Sequence, residues 1–363
     1  MKTKFYAFLM MGAAIFATSC SDNDDPEPIV DPVYETFTDG VYIINEGSYY
    51  SNVSGSLSYL DYTTNTLTDG LFASVNGRKL GGTPNNAIIW GSKMYIACTD
   101  ENRVEVVDAN TLKSLGYVEI PQPRELAGLG PNVYVTTYAG YVCGIDTVQP
   151  TQIAGQSEVI GSCLEGIAAC NGYLYVCNAY NTDYTYNTNV VKLTAGLAKV
   201  KDITVADNPT YITTGDNGLY VLSNGNYYDV SAVIQSIDAN DEVTALCNGS
   251  FMAYNKGKIY YIETSFDENW NTIATYHVYN TENNADVTFT EGTDIFSPCA
   301  IAVDPVNDYV YISSYNKSAY GTADYSGAGY VVKYNSNGGV IDKYDAGVGP
   351  STFVFKTSEK WVY

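Results

Sequence analysis

Only three arginines occur in the 363-residue chain, Arg78, Arg103 and Arg124, and only one histidine, His277. Basic residues are few altogether: 18 lysines and arginines stand against 40 acids, giving a formal charge of −22 and a pI near 4.2. Attraction to polyphosphate needs a basic footprint, so nucleic acid is excluded as a partner. A single histidine rules out a multi-histidine metal site, and any Ser-His-Asp triad would have to use it. His277 stands in Tyr276-His277-Val278-Tyr279, which reads as a strand interior. Seven cysteines follow Cys20 at irregular spacing without a C-x-x-C pair. That pattern is neither a disulfide framework nor a zinc site. Cys98, Cys143 and Cys177 lie in apolar runs and read as small buried hydrophobes. No D-x-D-x-D-G calcium loop is present. Beyond the first twenty residues no apolar pattern of period 3.6 is sustained, which disfavours a helical fold.

The opening segment has a targeting pattern. Lys2 and Lys4 precede an apolar run, Phe5 to Ala17, too short to span a bilayer. Ala17-Thr18-Ser19-Cys20 resembles a bacterial lipobox, which makes 1–19 a lipoprotein signal peptide and Cys20 the lipidation site. Asp22, Asp24, Asp25, Pro26, Pro28 and Pro32 then make 20–36 a lipidated acidic, proline-spaced linker. An acidic run directly after the cysteine resembles the surface-export signal of Bacteroidota lipoproteins. The expectation is an outer-membrane, lipid-anchored, cell-surface protein that contacts the membrane only through its N-terminal lipid. Loss of the two signal lysines leaves a mature charge of about −24.

What the sequence has in excess is tyrosine: 35 copies, against 11 phenylalanines and 3 tryptophans. Tyrosine suits a pleated, half-buried surface. A strand signal of the form apolar-Tyr-apolar recurs seven times, centred on Tyr42, Tyr95, Tyr134, Tyr175, Tyr220, Tyr260 and Tyr311, in steps of 39 to 53 residues. Four strands with tight turns need roughly 40 residues, the size of one propeller blade. An apolar run, often opened by proline, precedes most markers, as in Pro84 to Trp90 and Pro123 to Leu129. An alternating strand and an outer strand follow. The first marker has no such run upstream. The missing piece stands at the far end, in Gly349 to Phe355. Pairing it with the Tyr42 strand would close a ring and cover both open edges. The predicted fold is therefore an all-β, seven-bladed β-propeller over 37–363, with blade one closed by the C-terminal strand.

The run Ile43-Ile44-Asn45-Glu46-Gly47, followed by Gly55-Ser56-Leu57-Ser58-Tyr59, resembles the start of YncE-like propeller lipoproteins of Bacteroidota. That group includes BtuG-type vitamin B12-capture lipoproteins, which sit over an outer-membrane transporter. The resemblance implies cobalamin or a related corrinoid as candidate ligand and a TonB-dependent outer-membrane transporter as partner. It implies no cofactor.

In this strand order the loops joining second to third strands share one face with the connections between blades. Those loops are rich in aromatic, amide and hydroxyl groups. The residues expected to contact a ligand are Tyr49, Tyr50, Tyr138, Tyr180, Tyr184, Tyr186, Tyr227, Tyr228, Phe266, Trp270, Tyr315 and Tyr320. Rigid aromatic rings give large contact area at small entropy cost, and Asn and Gly supply adaptable hydrogen bonds. The bland alternative is that the rings pack loops together and that Asn, Asp and Gly only form turns. Arg103 and Arg124 belong to the same face and are candidates for a ligand phosphate or carboxylate, whereas Arg78 lies apart.

Catalysis finds little support. Paired carboxylates are all that a glycosidase needs, and Glu46, Asp183, Asp229 and Glu263 lie near the right face. Solvated turn acids explain them far better. The three-arginine cluster and Ser-x-Asp-x-Gly-x-Thr-Trp turns of propeller sialidases are missing. The expected function is non-enzymatic capture of a small-molecule nutrient for delivery to a transporter. A glycan-binding or adhesion propeller and a carboxylate-based hydrolase are the alternatives.

Overall fold

A computed structural model describes residues 33–268 and 272–362. Cys20 and Trp270 lie outside the described residues. Among the described residues the strands form seven four-stranded sheets. In six of them the strands follow sequence order from the inner to the outer edge, as in blade two: Pro84–Trp90, Lys93–Cys98, Arg103–Asp108, Ser114–Glu119. The seventh has the order Pro350–Val362, Val33–Asn45, Ser56–Asp61, Thr66–Thr68. The C-terminal strand is thus the inner strand of blade one, and the seven-bladed propeller is the fold. Despite the lack of a sustained helical period, the connection into blade two forms one short helix, Leu71–Asn76.

Two units divide the described residues, the ring at 36–359 and the end segments 33–35 and 360–362. Within the end segments, the Tyr34 and Trp361 rings lie 4.8 Å apart.

The marker tyrosines act between blades. All seven are at most 5% exposed, and each belongs to a cluster of buried residues. Four of them use the hydroxyl to reach the third-to-outer turn of the next blade. Tyr42 donates to Ala109 O (3.2 Å), Tyr134 to Ala195 O (2.6 Å) and Tyr175 to Asp241 Oδ1 (3.3 Å), and Tyr311 meets the Tyr62 hydroxyl. Burying a ring while pairing its polar tip is what tyrosine does better than phenylalanine. Tyr95 is different, because its hydroxyl is buried without a partner. Tyr134→Phe should therefore cost roughly 1 kcal/mol, while Tyr95→Phe should be neutral or stabilising. Denaturant midpoints of the two variants check this contrast.

At the other end, the inner strands carry a second repeated feature. In blades two, three, four, five and seven the register slips where the inner strand begins, at Pro84/Asn86, Pro123/Leu126, Cys163/Ile167, Pro209/Tyr211 and Pro298/Ala300. Four of these slips start at proline, which has no N–H to give to a ladder. A bulge bends the strand and re-aims its side chains. Here it turns residues just after the proline toward the axis of the ring. Inner strands also approach closely: a Cβ on Gly166 would stand 2.9 Å from Ile212 N and Tyr211 Cα. Glycine is needed there for the strands of blades four and five to meet.

Candidate ligand-binding site

The inner strands enclose a cavity of about 680 Å³ along the axis. Its apolar wall includes Ala127, Ile167, Ile301 and Phe353, while Asn86, Glu125, Thr210, Asn224, Ser250, Cys299 and Ser351 supply polar groups. Most of these polar residues stand where the inner strands begin. That is the end of the ring at which the second-to-third loops and the blade connections meet. Backbone bonds join the two sets: Glu46 N to Gly349 O, Thr99 N to Thr83 O, Tyr138 N to Gln122 O and Asn224 N to Asn208 O. The cavity thus opens under the aromatic loops as a polar throat.

Three glutamates from three blades gather at this throat around one arginine. Arg124 Nε lies 2.9 Å from Glu165 Oε2, and its Nη2 donates to Glu165 Oε1 at 3.3 Å. The Tyr138 hydroxyl donates to the same Oε1 at 2.6 Å, and the guanidinium lies 4.5 Å from the Tyr138 ring centroid. Glu125 accepts from Asn86 Nδ2 at 2.6 Å and more weakly from Asn85 Nδ2 at 3.4 Å. Burial pushes the Glu125 carboxyl up to about 8, reinforced by Glu165 and opposed by Arg124. Glu46 is likewise raised, first by burial. Its neighbours are Ser351, Arg124 and Glu165. Arg124 stays protonated more firmly than usual, because Glu165 and Tyr138 outweigh the effect of burial.

The rim above is partly linked ring to ring. Tyr138 and Tyr180 meet edge to face at 5.9 Å, Tyr180 and Tyr184 lie nearly parallel at 6.4 Å, and Tyr186 and Tyr227 meet at 6.1 Å. Tyr315 contacts Tyr325 at 4.8 Å, and Tyr49 contacts Tyr50 at 5.6 Å. Tyr50, Tyr228 and Tyr320 are each more than 90% exposed, and Phe266 is exposed as well. Tyr184 and Tyr227 adopt left-handed backbone conformations, with φ of 64° and 59°. That costs an L-residue roughly 1–2 kcal/mol, so the loops must hold them there. Asn226 does so for Tyr227: its Oδ1 accepts from the backbone N–H groups of Tyr228, Asp229 and Val230. Although the Tyr227 ring is largely exposed, burial raises its hydroxyl, which has Asn208 and Asn224 beside it.

Two sequence expectations change. Arg103 is no free anion anchor. It packs over Tyr117 and lies 3.4 Å from Glu101 and 3.5 Å from buried Glu105. Arg78, expected to lie apart, bonds that same Glu105 at 2.6 Å. Only Glu105 is fully buried in this network; Arg103 is mostly covered, while Arg78 and Glu101 reach the surface. Arg124 does stand at the site, but Glu165 already neutralises it. The rim amides are also less available than expected. Asn226 and Asn181 spend their hydrogen bonds on shaping their own loops.

Glu125 and Glu165 escaped the sequence reading. The signal for both was a charge inside an otherwise apolar inner-strand run, at Pro123-Arg124-Glu125 and Cys163-Leu164-Glu165. His277 matches its reading: it lies in the strand Thr272–Asn280 and stacks on Tyr261 at 4.9 Å. Cys98, Cys143 and Cys177 are buried, and all seven described cysteines are unpaired. Among the described residues, no group of three or more His, Cys, Asp or Glu is placed to hold a metal ion.

The profile of a family described as a domain of unknown function, DUF5074, matches residues 39–356. No curated protein matches the sequence. Solved structures resemble the fold at low identity. Kuenenia stuttgartiensis hydrazine synthase has 16% identity and a TM-score of 0.59, over 77% of this chain and 95% of that one. The Pseudomonas aeruginosa periplasmic gluconolactonase PpgL has 10% identity and a TM-score of 0.56, over 89% and 99%. Citrobacter koseri AztD has 9% identity and a TM-score of 0.56, over 92% and 100%. At these identities the likeness extends to the fold alone.

Proposed function

The chain belongs to the DUF5074 family, and from that premise we propose that this propeller captures a bulky, ring-bearing solute in the funnel formed by its aromatic rim and glutamate throat. The observation that carries the reading is that tyrosines from neighbouring blades meet ring to ring at the end of the propeller where the inner strands lining a cavity of about 680 Å³ begin. A pocket of this size accommodates a ligand of drug-like dimensions, with polar groups at one end to orient it. The finer form of the reading is a lipid-anchored surface protein that takes up cobalamin or a related corrinoid and hands it to an outer-membrane transporter. It is supported by the resemblance at Ile43 to Tyr59 and by the breadth of the rim. A corrinoid would lay its ring on the tyrosines and direct its carboxamides toward the throat. Its phosphate would face solvent, since both arginines expected to receive it are paired with glutamates.

The test is a desalting screen in which purified protein is mixed with cyanocobalamin, or with neutral oligosaccharides, and retained solute is measured. Retention of a solute by the wild type, reduced about tenfold or more in Tyr227→Ala or Tyr228→Ala with an unchanged melting temperature, is the expected result. Equal loss of stability in these variants would make the rings packing residues. A carboxylate-based hydrolase is the second reading, favoured by Glu125, whose raised pKa of about 8 keeps it a proton donor at neutral pH. Release of reducing ends from an oligosaccharide, lost in Glu125→Gln, would establish it in place of simple capture.

A further inference from the structure

The connection between blades one and two departs from the blade repeat and builds a cavity of its own. Residues 69–83 make this connection and carry the helix Leu71–Asn76, whereas residues 120–122 suffice between blades two and three. Phe72 of the helix joins Leu57 and Leu80 in one buried cluster, each at most 1% exposed. The loop before Ser56–Asp61 is tied to the same connection by Gly55 N, which donates to Gly81 O at 2.8 Å. Between loop and helix lies a cavity of about 380 Å³, whose lining includes Leu57, Phe72 and Leu80 and the polar residues Asn52, Ser54 and Lys79. It shares no lining residue with the axial cavity. The side chains of Asn52, Ser54 and Lys79 have no hydrogen-bond or ion-pair partner among the described residues. All three can donate, and the ammonium can do nothing else. The acids nearby are engaged elsewhere. Asp69 Oδ1 accepts from the Ser56 and Ser58 hydroxyls at 2.7 and 2.8 Å. Glu101 accepts from Gly82 N at 3.0 Å and lies 3.4 Å from Arg103. In a chain with 40 acids against 18 bases, Lys79 thus keeps its charge beside an apolar floor.

We propose that this cavity is a second ligand site, separate from the funnel, for a small carboxylate with an apolar aryl or alkyl body. The carboxylate meets Lys79, with the Asn52 amide and the Ser54 hydroxyl as further donors, and the body lies on Leu57, Phe72 and Leu80. The proposal is independent of the capture reading. The volume suits such a compound, since it stands at the small end of the range of ligand pockets, roughly 300–1,000 Å³. Apolar burial on the floor supplies the affinity. The charged contact supplies the preference, because hydrogen bonds to an ionised acceptor are stronger than those to a neutral hydroxyl. Lys79 and Asn52 are exposed, so solvent and salt weaken that preference without removing it.

The test titrates 3-phenylpropionate and 3-phenyl-1-propanol into the purified full chain at low salt, with binding read by ligand-observed NMR. The acid should bind about fivefold or more tightly than the alcohol. Lys79→Gln should erase that preference while leaving the alcohol bound as before. Ala73→Trp, which fills the cavity from the helix, should abolish binding of both probes. Tyr227→Ala, in the funnel, should change neither. Lys79→Gln alters an exposed side chain, so it decides the matter even where Ala73→Trp does not fold. Binding of neither probe overturns the proposal, as does equal binding of the two. A preference for the acid that survives Lys79→Gln, or that disappears in Tyr227→Ala, places the carboxylate elsewhere and also overturns it.

Discussion

Truncation after Gly349 is expected to abolish cooperative folding. The lost segment is the inner strand of blade one, and it is tied to both neighbouring blades. Val354 is buried in the cluster that joins blades one and two, and the Thr352 hydroxyl donates to Asn85 O at 3.0 Å. On the other side, Phe353 and Phe355 pack against Tyr311 of blade seven at ring distances of 6.0 and 5.8 Å. Removing it exposes the edge of the Val33–Asn45 strand and opens the ring at two interfaces at once, a configuration prone to edge-to-edge association. Thermal scans of the truncated chain should show either no transition or one lowered by roughly 15 °C or more, with increased binding of a hydrophobic dye. Truncation after Glu359 is the matched control, since the described residues after it, 360–362, lie outside the ring unit. It should leave the transition in place. A truncated chain that melted like the full one would refute closure by this strand.

Arg124→Met is expected to be the most damaging single substitution at the site. Among the described residues the guanidinium is the only cation beside these three glutamates, and it is mostly buried, as is its partner Glu165. Removing one member of a buried pair leaves the other charge uncompensated, at a cost of about 3–5 kcal/mol. For a domain of this size that corresponds to a melting temperature lowered by roughly 6–15 °C. The uncompensated charge is Glu165, so Arg124→Met/Glu165→Gln should recover most of the loss in a thermal scan. A deficit unrelieved by Glu165→Gln would mean that Arg124 matters through its packing on Tyr138 alone.

How much of this was visible in the sequence depends on how local each cause is. The blade repeat was legible because the marker tyrosines occupy equivalent positions between blades, where one residue type solves the same packing problem seven times. Closure by the C-terminal strand was legible from the missing inner strand before Tyr42. The short helix Leu71–Asn76 was not, since six residues give too little periodicity to read. The loop aromatics were correctly grouped by connectivity, but their roles were not separable. The sequence does not distinguish Tyr138, which bonds Glu165 at the throat, from Tyr228, which is 94% exposed. The arginines were misjudged for a physical reason. Arg124 and Arg78 pair with carboxylates distant in sequence, 41 residues away at Glu165 and 27 at Glu105, whereas Arg103 is held by Glu101 and Glu105 two residues to either side. Charge pairing across blades follows from register, which a repeat pattern does not specify to the residue. The proline-initiated bulges belong to the same class: the prolines are plain in the sequence, whereas the rotation they impose on Asn86, Glu125 and Cys299 is not.

Tyrosine labelling by hydroxyl radicals, read by peptide mass spectrometry with and without the solute retained in the desalting screen, examines the binding face most directly. The account predicts protection of Tyr186, Tyr227 and Tyr315, with no change at Tyr117 and Tyr173, which lie away from the funnel. Protection confined to Tyr117 or Tyr173, with the funnel rings labelled as in the free chain, would contradict it.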